Sequence, residues 1–83
     1  MRREQAKVGT RVRALVEFSD VRKGTEGVID EDYGKGVMVA WDRPEAPLPP
    51  DYRRRAERPA VTTGILRDGF DKGNELHFLE LVR

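Results

Sequence analysis

The feature that most constrains the fold of this chain is a series of short β-type runs, separated by glycines, over residues 8–42. Around Val12, apolar residues alternate with charged ones, which is the period of two that is typical of a half-buried strand. Gly24 and Gly27 introduce the next run, and residues 33–36 predict a hairpin turn, because glycine adopts turn conformations without a steric penalty. The pattern predicts a small all-β barrel.

The same reasoning predicts five strands in antiparallel order. Their expected bounds are residues 8–18, 26–31, 37–42, 61–66 and 75–82. Both faces of strand three are apolar, so we expect a central strand that is covered on each side, with Trp41 in the core. Residues 67–74 are rich in turn formers. A change of parity within strand five predicts a bulge or a short 3₁₀ turn, and residues 1–6 predict a flexible or short helical leader.

A segment of different character, residues 43–60, interrupts this pattern. Its first part holds four prolines between residues 44 and 50, which excludes the interior of a regular strand or helix. Asp51 is a suitable N-cap for one or two helical turns that end before Pro59. We therefore expect one domain over residues 1–83, with a long proline- and arginine-containing loop before strand four.

Composition narrows the class of protein. The chain has 83 residues and no cysteine, which excludes disulfides and thiolate metal sites. Its 16 basic and 15 acidic residues give a net charge of +1, which argues against binding to nucleic acid through bulk charge alone. No segment has the length and apolarity of a membrane span or the pattern of a signal peptide, so we expect a cytoplasmic protein with no membrane partner.

Four motifs resemble those of the SH3-like barrel superfamily. They are residues 8–13, 23–28, 36–41 and 74–81. The chain is similar to small accessory barrels such as the E subunit of photosystem I, the variable chain of ferredoxin–thioredoxin reductase and the barrel at the end of the nitrile hydratase β subunit. It resembles the KOW domains of ribosomal and transcription proteins more loosely. The resemblance covers residues 7–42 and 74–82, and it implies a five-stranded antiparallel SH3-like barrel.

Two basic clusters are the candidate contact sites. An aromatic side chain beside arginines suits phosphate or base contacts and equally suits an acidic protein partner. The candidate residues for binding a protein partner are Tyr52, Arg53, Arg54, Arg55 and Arg58. The alternative for this segment is a mobile, solvated loop. The candidate contacts for nucleic acid are Arg2, Arg3, Lys7, Arg11 and Arg13.

The remaining polar residues favour structural interpretations. His77 is the only histidine and lies between two apolar residues of a predicted strand, so we expect it to face solvent. The acidic run from Asp30 to Asp32 does not have the alternating ligand spacing of a calcium loop, and we expect a solvated hairpin flank. The sequence predicts no catalytic residues, no cofactor site and no metal site.

The function expected from the sequence is a non-catalytic, protein-binding or accessory module of a larger assembly, whose partner is another, unidentified protein. The alternative is a KOW-like module that binds RNA or DNA. A free-standing enzyme is the weakest hypothesis, because the sequence shows no nucleophile with a general base. An exposed edge strand also suits a dimer, and the sequence leaves the oligomeric state open.

Overall fold

The fold is a single antiparallel sheet of five strands, curled into a half-barrel. The computed structural model describes residues 1–17, 20–48 and 65–82. The strands are β1 (Arg11–Ala14), β2 (Glu26–Asp32), β3 (Gly36–Trp41), β4 (Arg67–Asp71) and β5 (Leu79–Leu81). They lie in the order β4-β3-β2-β1-β5, so four consecutive strands form a meander and the fifth returns beside the first. The predicted small all-β architecture is confirmed.

Strand β3 lies in the interior of the sheet, as the sequence predicted. It pairs with β2 on one side and with β4 on the other. Val37, Val39 and Trp41 on one face are fully buried, and so is Ala40 on the opposite face. A strand that is covered on both faces needs apolar residues at consecutive positions, which explains why this run does not alternate.

Trp41 anchors the core. Its side chain is 0% exposed and packs edge-to-face on Phe70, with the ring centroids 6.1 Å apart. The indole Nε1 donates a hydrogen bond of 2.8 Å to Oδ2 of Asp68, on the neighbouring strand β4. A buried indole of this kind combines a large apolar contact area with one polar group that needs an acceptor. The predicted core position of Trp41 is confirmed.

The predicted hairpin turn joins β2 to β3. The backbone N–H of Tyr33 donates to the carbonyl of Gly36 over 3.0 Å, and Gly34 has a φ of +92°, which favours glycine. Asp32 accepts hydrogen bonds from the Gly34 N–H at 2.9 Å and from Nζ of Lys72 at 2.9 Å. These two donors, Gly34 first, lower the pKa of the Asp32 carboxyl, because both stabilise its charged form.

Strand β4 corrects the sequence prediction. Strand four was expected at residues 61–66, and the following residues were expected to form turns. Residues 61–64 lie outside the described residues, and the strand that pairs with β3 is Arg67–Asp71. Glycine and aspartate disfavour strands locally, but packing decides here. Phe70 is buried in the core, and Asp68 accepts the hydrogen bond of Trp41.

The first and last strands are shorter than the sequence predicted. Strand β1 ends at Ala14, and Leu15 and Val16 are exposed after it. The expected bend near Leu15 was also to return Phe18 to the core, but Phe18 lies outside the described residues. A 3₁₀ turn over Leu76–Phe78 precedes β5, which confirms the irregularity predicted from the change of parity.

The first residues of the chain pack against the last strand. A 3₁₀ turn covers Arg3–Gln5, and Ala6 after it belongs to the buried core. The backbone nitrogen of Met1 donates hydrogen bonds to the carbonyl oxygens of Leu76 (3.2 Å) and Leu79 (3.0 Å). The outer side of β5 is therefore partly occupied by this segment.

Candidate functional site

The arginine cluster predicted to contact a protein partner is not part of the described structure. Tyr52, Arg53, Arg54, Arg55 and Arg58 all lie outside the described residues. The described part of the interrupting segment, residues 43–48, begins with a tight turn in which Arg43 and Ala46 form a β-bridge. Oδ1 of Asp42 accepts a hydrogen bond of 2.9 Å from the backbone N–H of Leu48, so the start of the segment is held to the end of β3.

Two of the five basic residues at the start of the chain are paired with carboxylates on adjacent strands. Glu26 on β2 contacts both Arg11 and Arg13 at 3.3 Å, and Glu80 on β5 contacts Arg13 at 3.0 Å. The hydrogen bonds from Arg11 and then from Arg13 lower the pKa of Glu26. The hydrogen bond to Glu80 is the largest of the effects that raise the pKa of Arg13. These two arginines are largely compensated.

The other three basic residues of that cluster remain exposed. Arg2, Arg3 and Lys7 form no ion pair with a described residue. They lie on and beside the first 3₁₀ turn, whereas Arg11 and Arg13 lie on β1. The five residues therefore do not act as one uncompensated basic surface, and only the three at the start of the chain suit contacts with phosphate.

Asp30 corrects the prediction of a solvated acidic flank. A β-bulge between Ile29 and Glu31 shifts the register of β2 against β3 at this residue. Asp30 is only 1% exposed, and Arg67 donates to both of its carboxylate oxygens over 2.8 Å. Arg67 also donates to Oε1 of the more exposed Glu31 at 3.0 Å. The acidic cluster therefore helps to join β2 to β4 across β3.

One concave surface on the described residues is a charged cleft between two loops. It encloses about 690 Å³ and is lined by Asp20, by residues 22–26 and by residues 42–45. Three cationic and four acidic side chains share its walls: Arg22, Lys23 and Arg43, with Asp20, Glu26, Asp42 and Glu45. The buried Nε of Arg43 has no acceptor among the described residues, and the Arg43 guanidinium forms no ion pair with a described carboxylate.

A second, smaller concavity lies at the open side of the half-barrel, and we call it the seam groove. It encloses about 390 Å³ between the residues that follow β1 (Val16 and Glu17), the strand β4 and the second 3₁₀ turn. Phe70 and Phe78 supply its apolar surface. Its charged side chains are all acidic: Glu17, Asp68 and Glu75.

None of these three carboxylates forms an ion pair with a described cation. Asp68 accepts the Trp41 indole N–H, and Oε1 of Glu75 accepts the backbone N–H of Asp71 at 2.8 Å. Glu17 is exposed. The groove therefore combines an apolar floor with uncompensated negative charge, a pairing that suits a ligand with apolar and cationic groups.

Sequence reasoning missed both concavities. The acidic residues of the seam groove come from three separate parts of the chain. Asp68 lies where turns were predicted, and Glu75 lies at the start of the predicted strand five. The one local signal was the break in the alternation of strand one at Leu15 and Phe18, which lie on either side of Val16 and Glu17. That break was interpreted as a bend that returns Phe18 to the core. Leu15, Val16 and Glu17 are exposed, and Phe18 lies outside the described residues.

The remaining predictions concern chemistry and membranes. His77 is exposed as predicted, and its ring lies against that of Phe78 with the centroids 4.1 Å apart. Within residues 1–17, 20–48 and 65–82, no group of three or more metal-ligating side chains converges. No helix in the same residues is long and apolar enough to cross a membrane.

Comparisons of the chain with protein-family models, with curated proteins and with solved structures found no match.

Proposed function

We propose that this chain is a non-catalytic module that binds another protein, as an accessory part of a larger assembly, and that its fold belongs to the SH3-like barrels. A meander of four strands, a 3₁₀ turn and a fifth strand beside the first are compatible with such a barrel. Many unrelated functions share this fold, so the functional proposal depends on the surfaces.

The observation that carries the proposal is the charge of the two concave surfaces. The charged cleft has four acidic and three basic side chains, and the seam groove has three acidic side chains and no basic one. Neither surface has the excess of cations that nucleic-acid binding needs to replace the counterions of the phosphate backbone, and Glu26 in the cleft already pairs with Arg11 and Arg13. Protein partners present both signs of charge and can complement them.

The position of the charged cleft links it to the interrupting segment. Arg43 and Glu45, the first charged residues of that segment, form part of the cleft wall. A partner seated in the cleft is therefore close to the point where residues 43–60 leave the sheet. In this proposal Tyr52, Arg53, Arg54, Arg55 and Arg58 remain the candidate contacts on that segment, for an acidic surface of the partner.

The alternative function, a KOW-like module for RNA or DNA, has one observation in its favour. Arg2, Arg3 and Lys7 are exposed and form no ion pair with a described residue. Against it, Arg11 and Arg13 already pair with Glu26 and Glu80, which reduces the charge that β1 offers to phosphates.

A nuclease-controlled capture experiment separates the two functions. The tagged full chain is used to capture partners with and without nuclease, and a cleft variant, Arg22→Ala with Arg43→Ala, is compared with a matched variant, Arg2→Ala with Arg3→Ala. Each removes two positive charges. The proposal predicts a stoichiometric protein that survives nuclease, is lost with the cleft variant and is retained with the control.

The opposite pattern contradicts the proposal. Binding to RNA or DNA that weakens steeply with salt, and that is lost with the Arg2 and Arg3 variant alone, establishes the alternative, because counterion release gives such a salt slope. A third variant, with Arg53, Arg54 and Arg55 changed to alanine, tests the predicted contacts on the interrupting segment. Unchanged capture by this variant removes them from the binding site.

A further inference from the structure

The register of β3 against β4 determines which backbone groups of β4 face outward, beside the seam groove. The N–H of Trp41 donates to the carbonyl of Leu66, and the N–H of Lys72 donates to the carbonyl of Lys35. In an antiparallel pair the hydrogen-bonded positions alternate, so the backbone groups of residues 68 and 70 face β3 and those of Arg67, Gly69 and Asp71 face outward.

Only part of this outer edge is occupied. The N–H of Asp71 donates to Oε1 of Glu75 over 2.8 Å, and its carbonyl accepts the N–H of Glu75 over 2.9 Å. Gly69 is exposed, and no described residue pairs with its outward-facing peptide groups.

The apolar and acidic surfaces of the seam groove lie beside that edge. Gly69 lines the groove together with Phe70 and Phe78, and Glu17 stands on the wall across from β4. An extended segment is the ligand shape that pairs with a strand edge, with main-chain hydrogen bonds for affinity and side-chain contacts for specificity. The three carboxylates of the groove, which form no ion pair with a described cation, select for lysine or arginine on that segment.

We propose that the seam groove binds an extended, lysine- or arginine-containing segment of a partner protein, which adds to the outer edge of β4 at Gly69. The inference rests on the proposed protein-binding function and specifies the chemistry of the partner. Because Asp71 already uses its peptide groups, the added ladder is short, and the acidic wall supplies a large share of the recognition.

Synthetic peptides test the inference on the full chain. The probe is an extended peptide of alternating lysine and valine, and its controls are the glutamate–valine analogue and the lysine–valine peptide with alternate backbone nitrogens methylated. Binding is followed by the amide resonance of Gly69 and by the fluorescence of Trp41, whose indole hydrogen-bonds to Asp68 in the groove. We expect the Gly69 amide to shift and to exchange more slowly only with the unmodified lysine peptide.

Charge-reversal variants of the protein complete the test. Glu17→Lys changes an exposed side chain of the groove, and Glu4→Lys makes the same change at an exposed site on the first 3₁₀ turn. We expect Glu17→Lys to lower the affinity for the lysine peptide by roughly threefold or more, because the variant loses an exposed ion pair and adds a repulsive charge. Glu4→Lys is expected to change the affinity by less than half as much.

Several outcomes overturn the inference. They are no binding of the lysine peptide, binding that is insensitive to backbone methylation, equal effects of the two variants, or a Gly69 shift that appears on concentrating the protein alone, which indicates pairing with a second copy. If the peptides fail while nuclease-resistant capture depends on Arg22 and Arg43, the protein-binding function stands and only this inference falls. If both fail, the proposed function falls as well.

Discussion

Replacing Arg67 by alanine is expected to remove a large part of the stability of this domain. The Arg67 guanidinium donates to both carboxylate oxygens of Asp30 over 2.8 Å, and the Asp30 side chain is 0% exposed. The variant deletes this charge-assisted, two-point contact and leaves a carboxylate buried behind the bulge of β2. Removing one partner of a buried ion pair costs about 3–5 kcal/mol, because the remaining charge stays desolvated.

The structure places this variant at the lower end of that range. The Arg67 side chain is 15% exposed, so water entering the vacated space solvates part of the Asp30 charge, and we expect a loss of about 3 kcal/mol. A domain of 83 residues has a total stability of about 4–12 kcal/mol at 0.05–0.15 kcal/mol per residue. The loss is therefore a quarter or more of the total.

Urea unfolding measures the loss, and the fluorescence of Trp41, the single tryptophan, reports the transition. With a urea dependence of about 1 kcal/mol per molar, the midpoint of Arg67→Ala falls by about 3 M. The matched control replaces both partners, Asp30→Leu with Arg67→Met, because an apolar pair of similar volume is often neutral or stabilising in place of a buried ion pair.

Two results refute this reasoning. A loss of less than about 1 kcal/mol for Arg67→Ala shows that the contact is worth no more than an exposed ion pair. A double variant that is as unstable as the single one shows that Arg67 acts through its own packing and not through the buried charge of Asp30.

Three further predictions follow from the turn and the core. The hydrogen bonds from Gly34 and Lys72 lower the pKa of Asp32. Their contribution to the stability of the folded state is therefore present above the ordinary pKa of aspartate and is lost as the pH falls below about 4. In an acid titration, the stability of Asp32→Asn is expected to fall less steeply than that of the wild type. Gly27→Ala places a Cβ 2.5 Å from the carbonyl oxygen of Ala40 in β3, and thermal unfolding is expected to show a loss of about 1–3 kcal/mol. Leu79→Ala removes a fully buried side chain and is expected to cost about 2–5 kcal/mol in urea unfolding.

Each of these predictions has a control in the chain. Asp20→Asn removes an exposed carboxylate on another loop and is expected to leave the acid transition unchanged; the same flattening in both variants contradicts the role of Asp32. Leu15→Ala makes the chemical change of Leu79→Ala at a residue that is 38% exposed, and equal losses at the two sites contradict the burial argument. If Gly27→Ala has the same melting curve as the wild type, the space between β2 and β3 accommodates a Cβ and the expected steric clash is wrong.

The central strands could be predicted because their signals are local. The turn at residues 33–36 needs a glycine with positive φ, which Gly34 supplies, and the doubly apolar run of β3 follows directly from burial on both faces. Strand β4 could not be predicted in the same way. Gly69 and its neighbouring aspartates favour turns in isolation, and only the hydrogen bond from Trp41 and the burial of Phe70 make a strand the better conformation.

The candidate binding surfaces depended on tertiary structure even more strongly. The charged cleft joins loops that follow β1 and β3, and the seam groove joins Glu17, Asp68 and Glu75 from across the chain. No spacing within the sequence marks such a set. The basic residues at the start of the chain were visible in the sequence as a cluster. The ion pairs by which Glu26 and Glu80 compensate the charge on β1 depended on strand pairing.

The sequence by itself determined the all-β class, the central strand with Trp41 in the core and the tight hairpin, because each depends on backbone preferences and burial within a few neighbouring residues. The tertiary structure alone decided that Asp30 is buried, since Arg67, which donates to both oxygens of its carboxylate, lies 37 residues away along the chain. The tertiary structure also decided which acidic residues line the seam groove. Charges can be compensated over any sequence distance, so their environment becomes defined only when the strands are paired.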